Sequence, residues 1–107
     1  MAETYEVLAL KYGTHANRSR ADNFLMPDDH ASPHPIDYFV WLIRNERRTI
    51  LVDTGFSHAE AKERGRVLQH EPRDLLKHIG IEAETIDTVI VTHLHYDHAG
   101  GIAQFAQ

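Results

Sequence analysis

At 107 residues with 42% hydrophobic content and no cysteine, the chain can bury one small core and form one domain over residues 1–107, without disulfides or thiolate ligands. Its 16 acidic and 11 basic side chains are interspersed and leave a net charge of -5, which excludes the basic face that a nucleic-acid partner requires. Met1-Ala2-Glu3-Thr4 carries neither a basic stretch nor a long apolar run and no segment reaches transmembrane length, so the expectation is a cytoplasmic protein with no membrane partner.

Residues 5–12 mix β-branched, aromatic and aliphatic side chains and stop at Gly13, which predicts a first strand near a sheet edge. From 13 to 35 the chain is rich in Asn, Asp, Arg, His and Pro, with one apolar triplet, Phe24-Leu25-Met26. A structureless connection of this length is usually either functional or disordered. His15, His30 and His34 lack metal-ligand spacing and are expected at the surface. Residues 36–43 form a nearly continuous apolar run with Tyr38, Phe39 and Trp41, which predicts a strand covered on both faces. A polar turn over 44–48 and a second apolar run over 49–52 complete an antiparallel hairpin. Asp53-Thr54-Gly55 then ends that strand with residues that favour turns.

Ser57 and Glu60 have the spacing of a capping box, so a helix is expected from there to Val67 or Leu68, weakened at Gly65 and supported by the Glu60–Arg64 pair. Glu71-Pro72 starts another helix, with Leu75, Leu76 and Ile79 as its apolar face and Gly80 as its stop. His70 and His78 in this region are expected at a surface or interface. After a polar connection over 81–85, residues 86–91 form a strand, and a parallel strand reached through helices indicates an α/β layer. A last helix is expected over 98–105, with Ile102 and Phe105 facing inward. There is no internal repeat or low-complexity segment.

The densest chemistry lies in Thr92-His93-Leu94-His95-Tyr96-Asp97-His98-Ala99-Gly100-Gly101. A loop leaving a buried strand aims alternate side chains the same way, so His93 and His95 can grip one ion while Asp97 and His98 face a second position. Imidazole and carboxylate together suit Zn²⁺ and tolerate Fe, Mn, Co or Ni. Two ions roughly 3.5–4 Å apart hold a hydroxide at neutral pH and polarise the group it attacks. The alternative is a solvated turn in which Asp97 caps the next helix. Gly100-Gly101 allows close backbone packing at the strand-to-helix junction.

The pattern His-x-His-x-Asp-His resembles the signature of the metallo-β-lactamase superfamily. With Val89-Ile90-Val91-Thr92 before it and Ala-Gly-Gly after it, the segment is most similar to the N-acyl homoserine lactone lactonase branch. The likeness continues upstream through 38–43 and 50–57, so it spans most of the chain. It implies an α/β fold with a mixed sheet, corresponding to the N-terminal half of an αββα sandwich. Family members are about twice as long, and their second half supplies another His to the first ion, a bridging Asp, and a final His to the second. This half alone leaves an apolar sheet face uncovered, which invites a homodimer or a missing C-terminal half.

The resemblance further implies a metal-dependent, quorum-quenching hydrolase that opens a lactone ring by attack of a metal-bound hydroxide, with a small-molecule lactone or ester as substrate. In that scheme His93 and His95 hold the ion that polarises the carbonyl, Asp97 and His98 hold the other, and Asp97 relays the proton. Asp53 orients a ligand imidazole, a role set against a simple turn. The 13–35 loop borders the substrate cleft, so Phe24, Leu25 and Met26 either contact the acyl chain or pin the loop to the core. Tyr96 neighbours the site as a packing residue. Two alternatives remain: a thioester hydrolase of the glyoxalase II type, which shares the metal motif, and a truncated non-catalytic fragment.

Overall fold

The hairpin expected over 36–52 forms as β2 (Ile36–Arg44) and β3 (Thr49–Val52), antiparallel, with Trp41 opposite Val52 and Arg44 opposite Thr49. Asn45 closes its turn: the side-chain oxygen accepts the backbone N–H groups of Arg47 and Arg48, each at 2.9 Å. Around this hairpin a computed structural model describes residues 3–25 and 32–105 as a five-stranded mixed sheet with helices. No helix among the described residues is long and apolar enough to cross a membrane.

The first strand, β1 (Glu6–His15), pairs antiparallel with β2 along its whole length and ends three residues later than its apolar pattern indicates. Gly13 does not end it. A register shift between Lys11 and Gly13 absorbs the irregularity, and the strand continues to His15 opposite Ile36. As expected, β1 lies near the sheet edge, with the two-residue β4 (Val67–Leu68) outside it, opposite Gly13 and Thr14. On the far side β5 (Thr88–Ile90) pairs parallel with β3, giving the order β4-β1-β2-β3-β5.

Between these strands, α2 (His58–Arg64) starts at Ser57, whose hydroxyl accepts the Glu60 N–H at 3.2 Å. The reciprocal half of the expected capping box is replaced by an ion pair from Glu60 to Arg64 at 2.7 Å. The helix ends at Gly65 (φ 70), earlier than expected. A Schellman motif closes it, with the Gly65 N–H on Lys62 O and the Arg66 N–H on Ala61 O, so Val67 and Leu68 are free to pair as strand. Next, α3 (Pro72–His78) buries Pro72 and Leu76, while Ile79, expected on its apolar face, is exposed. The polar connection after it contains a 3₁₀ turn, Ala83–Thr85, that buries Ala83.

The helices cover one face of the sheet. Tyr12, Tyr38, Val40, Leu42, Leu51, Phe56, Leu76 and Phe105 are buried there. The opposite face is open: alternation along β2 places Phe39 (40% exposed) and Trp41 (44% exposed) on it, with Val7 of β1 and Ile90 of β5 also exposed. The expectation that β2 is covered on both faces therefore fails. An apolar run reports that a strand favours burial, whereas the cover must come from other elements. Ile102 is likewise exposed rather than inward, because the last segment is not one helix but α4 (Tyr96–Ala99) followed by a 3₁₀ turn, Ile102–Gln104.

The described residues of the 13–35 segment include regular structure, contrary to expectation. It holds the end of β1 and α1 (Arg20–Asn23), and an isolated bridge pairs Ser19 with Pro33. His34 is half-buried, with its Nδ1 2.7 Å from the Asn23 amide nitrogen. His30 lies outside the described residues.

Candidate metal centre

The motif loop leaves β5 and turns at once into α4, with His95 at its N-cap. The end of β3 clamps this turn. The carboxylate of Asp53, directly after β3, accepts the Thr92 backbone N–H at 2.8 Å and the Thr92 hydroxyl at 2.9 Å, and lies 2.6 Å from His98 Nδ1. Thr54 donates its N–H (2.8 Å) and its hydroxyl (2.9 Å) to the carbonyl of His98, and the same hydroxyl accepts the Gly101 N–H at 3.1 Å. Asp53 holds the left-handed conformation (φ 67), which Asp tolerates better than most residues.

Asp53 is 4% exposed. Burial works to raise its pKa, but hydrogen bonds from the Thr92 backbone, His98 and the Thr92 side chain outweigh it and hold the carboxyl below the usual range. An ionised carboxylate only accepts, so His98 donates through Nδ1, and the neutral ring then presents the lone pair of Nε2. That is the tautomer a metal ligand needs.

Among the described residues, one group of three brings metal-type donors together: ligand atoms of His93, Asp97 and His98 lie within 4.8 Å of one another. The His93 and His98 rings are 3.9 Å apart between centroids, and His98 Nε2 is 3.4 Å from Asp97 Oδ2. The grouping differs from the pairing expected from alternation, since the short helix α4 brings Asp97 and His98 round to His93. His95 stands outside the group, its ring 4.8 Å from that of His93. Two nitrogens and a carboxylate oxygen make a donor set that fits a divalent ion with an open position.

Behind the loop lies an aromatic support that the sequence pattern did not reveal. Tyr12 donates its hydroxyl to the Asp97 carbonyl at 2.8 Å. The hydroxyls of Tyr38 and Tyr96 are 3.1 Å apart, and Arg66 Nε donates to the Tyr96 hydroxyl at 3.0 Å. Burial, then the nearby Asp97 charge, pushes the Tyr12 phenol far above its ordinary pKa, so it stays a donor. Burial and the Tyr96 hydrogen bond do the same for Tyr38. Phe56 packs among these rings, with centroids 5.6 Å from Tyr12, 5.3 Å from Tyr38 and 5.1 Å from Tyr96. Tyr12 and Tyr38 occupy inward positions of paired strands, a signal that marks core but not which loop the core carries.

Gly101 packs against the same clamp. A Cβ there would sit 2.5 Å from the Thr54 carbonyl oxygen, which is backbone and cannot step aside. Gly101→Ala is therefore expected to cost about 1–3 kcal/mol in a urea unfolding titration. A loss near zero would mean that the loop slides freely over Thr54.

Beside the centre a cleft of about 510 Å³ is lined by His15, Arg18, Ile36, Tyr38, Arg66, His95, Tyr96 and Asp97. Phe24 and Leu25 do not line it, and both are exposed, Leu25 by 97%, so Leu25 does not pin the loop to the core. Phe24 stacks edge-on with His34, ring centroids 5.0 Å apart. Met26 lies outside the described residues. His15 is not a plain surface residue: it is half-buried at the rim of this cleft.

A mixed sheet that gathers His and Asp donors at the junction of β5 and α4 has the architecture of an α/β metal-binding fold. Residues 35–107 match the metallo-beta-lactamase superfamily, and the chain belongs to that family. It is 34% identical to an N-acyl homoserine lactonase of Bacillus sp., covering 65% of this chain and 34% of that protein. It is also 34% identical to a hydroxyacylglutathione hydrolase of Albidiferax ferrireducens, over 63% of this chain and 20% of that protein. A crystal structure of a quorum-quenching N-acyl homoserine lactone lactonase superposes with a TM-score of 0.74 at 25% identity, covering 100% of this chain and 45% of that one. The chain thus spans about a third or less of these two curated relatives, and under half of the solved lactonase.

Proposed function

We propose that the chain carries the metal-binding portion of a hydrolase that opens lactone rings of the N-acyl homoserine lactone type. The observation that supports this most is the Asp53–His98 contact, which leaves Nε2 of His98 free beside His93 and Asp97. In this reading His93 turns from the group it forms with Asp97 and His98 to serve one ion with His95, Asp97 and His98 serve a second, and Asp53 keeps His98 in its ligating tautomer. Bound divalent ions, zinc by donor chemistry, lower the pKa of water and polarise the scissile carbonyl. Asp97 accepts the proton from the attacking water as the new C–O bond forms and passes it to the ring oxygen as the lactone C–O bond breaks. Thr54 and Tyr12 hold the α4 backbone, so the ligand side chains keep their orientation during turnover. The lactonase relatives support this substrate class.

The 34% identity to a hydroxyacylglutathione hydrolase supports a second reading, hydrolysis of a glutathione thioester at the same centre. Assays on an acyl homoserine lactone and on a glutathione thioester separate the two. Lactone opening is expected to dominate and to vanish both with a chelator and in His95→Ala. Hydrolysis that survives chelation removes the metal mechanism, and turnover of the thioester alone favours the second reading.

A further inference from the structure

The cleft next to the metal centre holds an arginine with no carboxylate partner among the described residues. Arg66 reaches it from the end of α2, where the Schellman motif sets its backbone by the N–H bond to Ala61 O at 2.8 Å. Its guanidinium donates Nε to the Tyr96 hydroxyl and one terminal nitrogen to Arg64 O at 2.6 Å. These partners, and the Tyr38 hydroxyl that also interacts with the guanidinium, are neutral oxygens. Arg18, on the same cleft, is among the described residues likewise bound to neutral oxygens, the Asn23 side chain and the Asp22 carbonyl. The remaining polar lining is His15, His95, the two tyrosines and Asp97, which belongs to the metal group. His15 registers the local charge, since burial and then Arg66 and Arg18 lower its pKa.

A guanidinium fixed at two points with donors left over is organised in advance for an oxyanion, because little further freedom is lost when one binds. It stands one hydrogen bond from Tyr96, between the candidate ligands His95 and Asp97 in sequence. We propose that Arg66 is the specificity residue of this cleft, and that the ester, lactone or thioester cleaved at the centre carries an anionic group, carboxylate or phosphate, seated on Arg66. The inference rests on the metal-dependent hydrolase reading alone and departs from the neutral lactone proposed above in favour of an anionic substrate such as the glutathione thioester, since a neutral acyl chain would leave this charge unused.

The test needs neither metal nor turnover. The metal-free 107-residue chain is titrated with glutarate, with inorganic phosphate, and with the neutral diamide of glutarate at constant ionic strength, following the His15 ring protons by NMR. The Trp41 indole, on the open sheet face, serves as an internal reference for the fold. Saturable shifts at His15 with the anions but not the diamide are expected, and Arg66→Met is expected to weaken binding roughly tenfold or more. Arg66→Lys keeps the charge without the fork and is expected to fall between the two, which preserves the test if the methionine variant unfolds. Equal binding by Arg66→Met and the parent, or no response to either anion, overturns the assignment. Glutarate binding without phosphate binding identifies a carboxylate substrate, and the reverse a phosphorylated one. Anion binding in a chain that hydrolyses nothing sinks the hydrolase reading alone, and metal-dependent hydrolysis without anion binding sinks only the role of Arg66.

Discussion

Asp53→Asn is expected to lower the affinity of the centre for a divalent ion by roughly 10–100-fold while leaving the fold in place. Asparagine matches aspartate in shape and tolerates the left-handed backbone at this position, φ 67. The change acts through the proton on His98. If the amide nitrogen faces Nδ1, the ring must accept there and carry its hydrogen on Nε2, the atom needed for the metal. If the amide oxygen faces Nδ1 instead, its nitrogen is turned onto the Thr92 N–H or hydroxyl and a buried hydrogen bond is lost. A competition titration against a chelator of known affinity reads the outcome. Affinities within twofold of the parent would show that Asp53 does not control the ligand.

The same substitution has a pH signature. A carboxyl whose folded pKa is held down binds its proton less readily in the folded state. Its stabilisation is complete above the unfolded value, about 3.9, and drains as the pH falls through the lower folded value. The parent is therefore expected to lose more stability than Asp53→Asn on acidification below about pH 4. Parallel stability curves in that range would contradict the hydrogen-bond account of the Asp53 shift.

Phe56→Ala is expected to be the most damaging single substitution for stability, at about 3–5 kcal/mol. Phe56 is fully buried and meets Tyr12, Tyr38 and Tyr96 edge-on, so its loss opens a cavity between the sheet and α4. That is a large share of the roughly 5–15 kcal/mol available to a domain of ordinary size. Phe56→Leu fills much of the void and is expected to lose less. Urea unfolding followed by far-ultraviolet dichroism measures both. A loss under about 1 kcal/mol for the alanine variant would mean that the ring cluster is not what seats α4.

Much of the architecture is legible from short-range signals. The β2–β3 hairpin follows from two apolar runs and an Asn-led polar turn, and the start of α2 from Ser57. The start of α3 follows from Pro72 and its stop from Gly80, and the parallel β5 from an apolar run placed after helices. The errors share a cause. Val67 and Leu68 look like the end of a helix until β1 offers them a ladder. Ile79 and Ile102 have the right spacing for burial and no neighbour to bury against.

The site divides in the same way. His93, Asp97 and His98 sit within six residues, so their proximity is legible in the chain, and Asp53 is marked by its Asp-Thr-Gly turn. No local pattern could join Tyr12 to Asp97 across 85 positions, or Asp53 to His98 across 45. Periodicity, caps and turn chemistry act over a few residues and survive in a linear reading. Strand register and sheet order bring distant residues together, so they alone set which imidazole nitrogen stays free, which arginine reaches the cleft and which sheet face stays open.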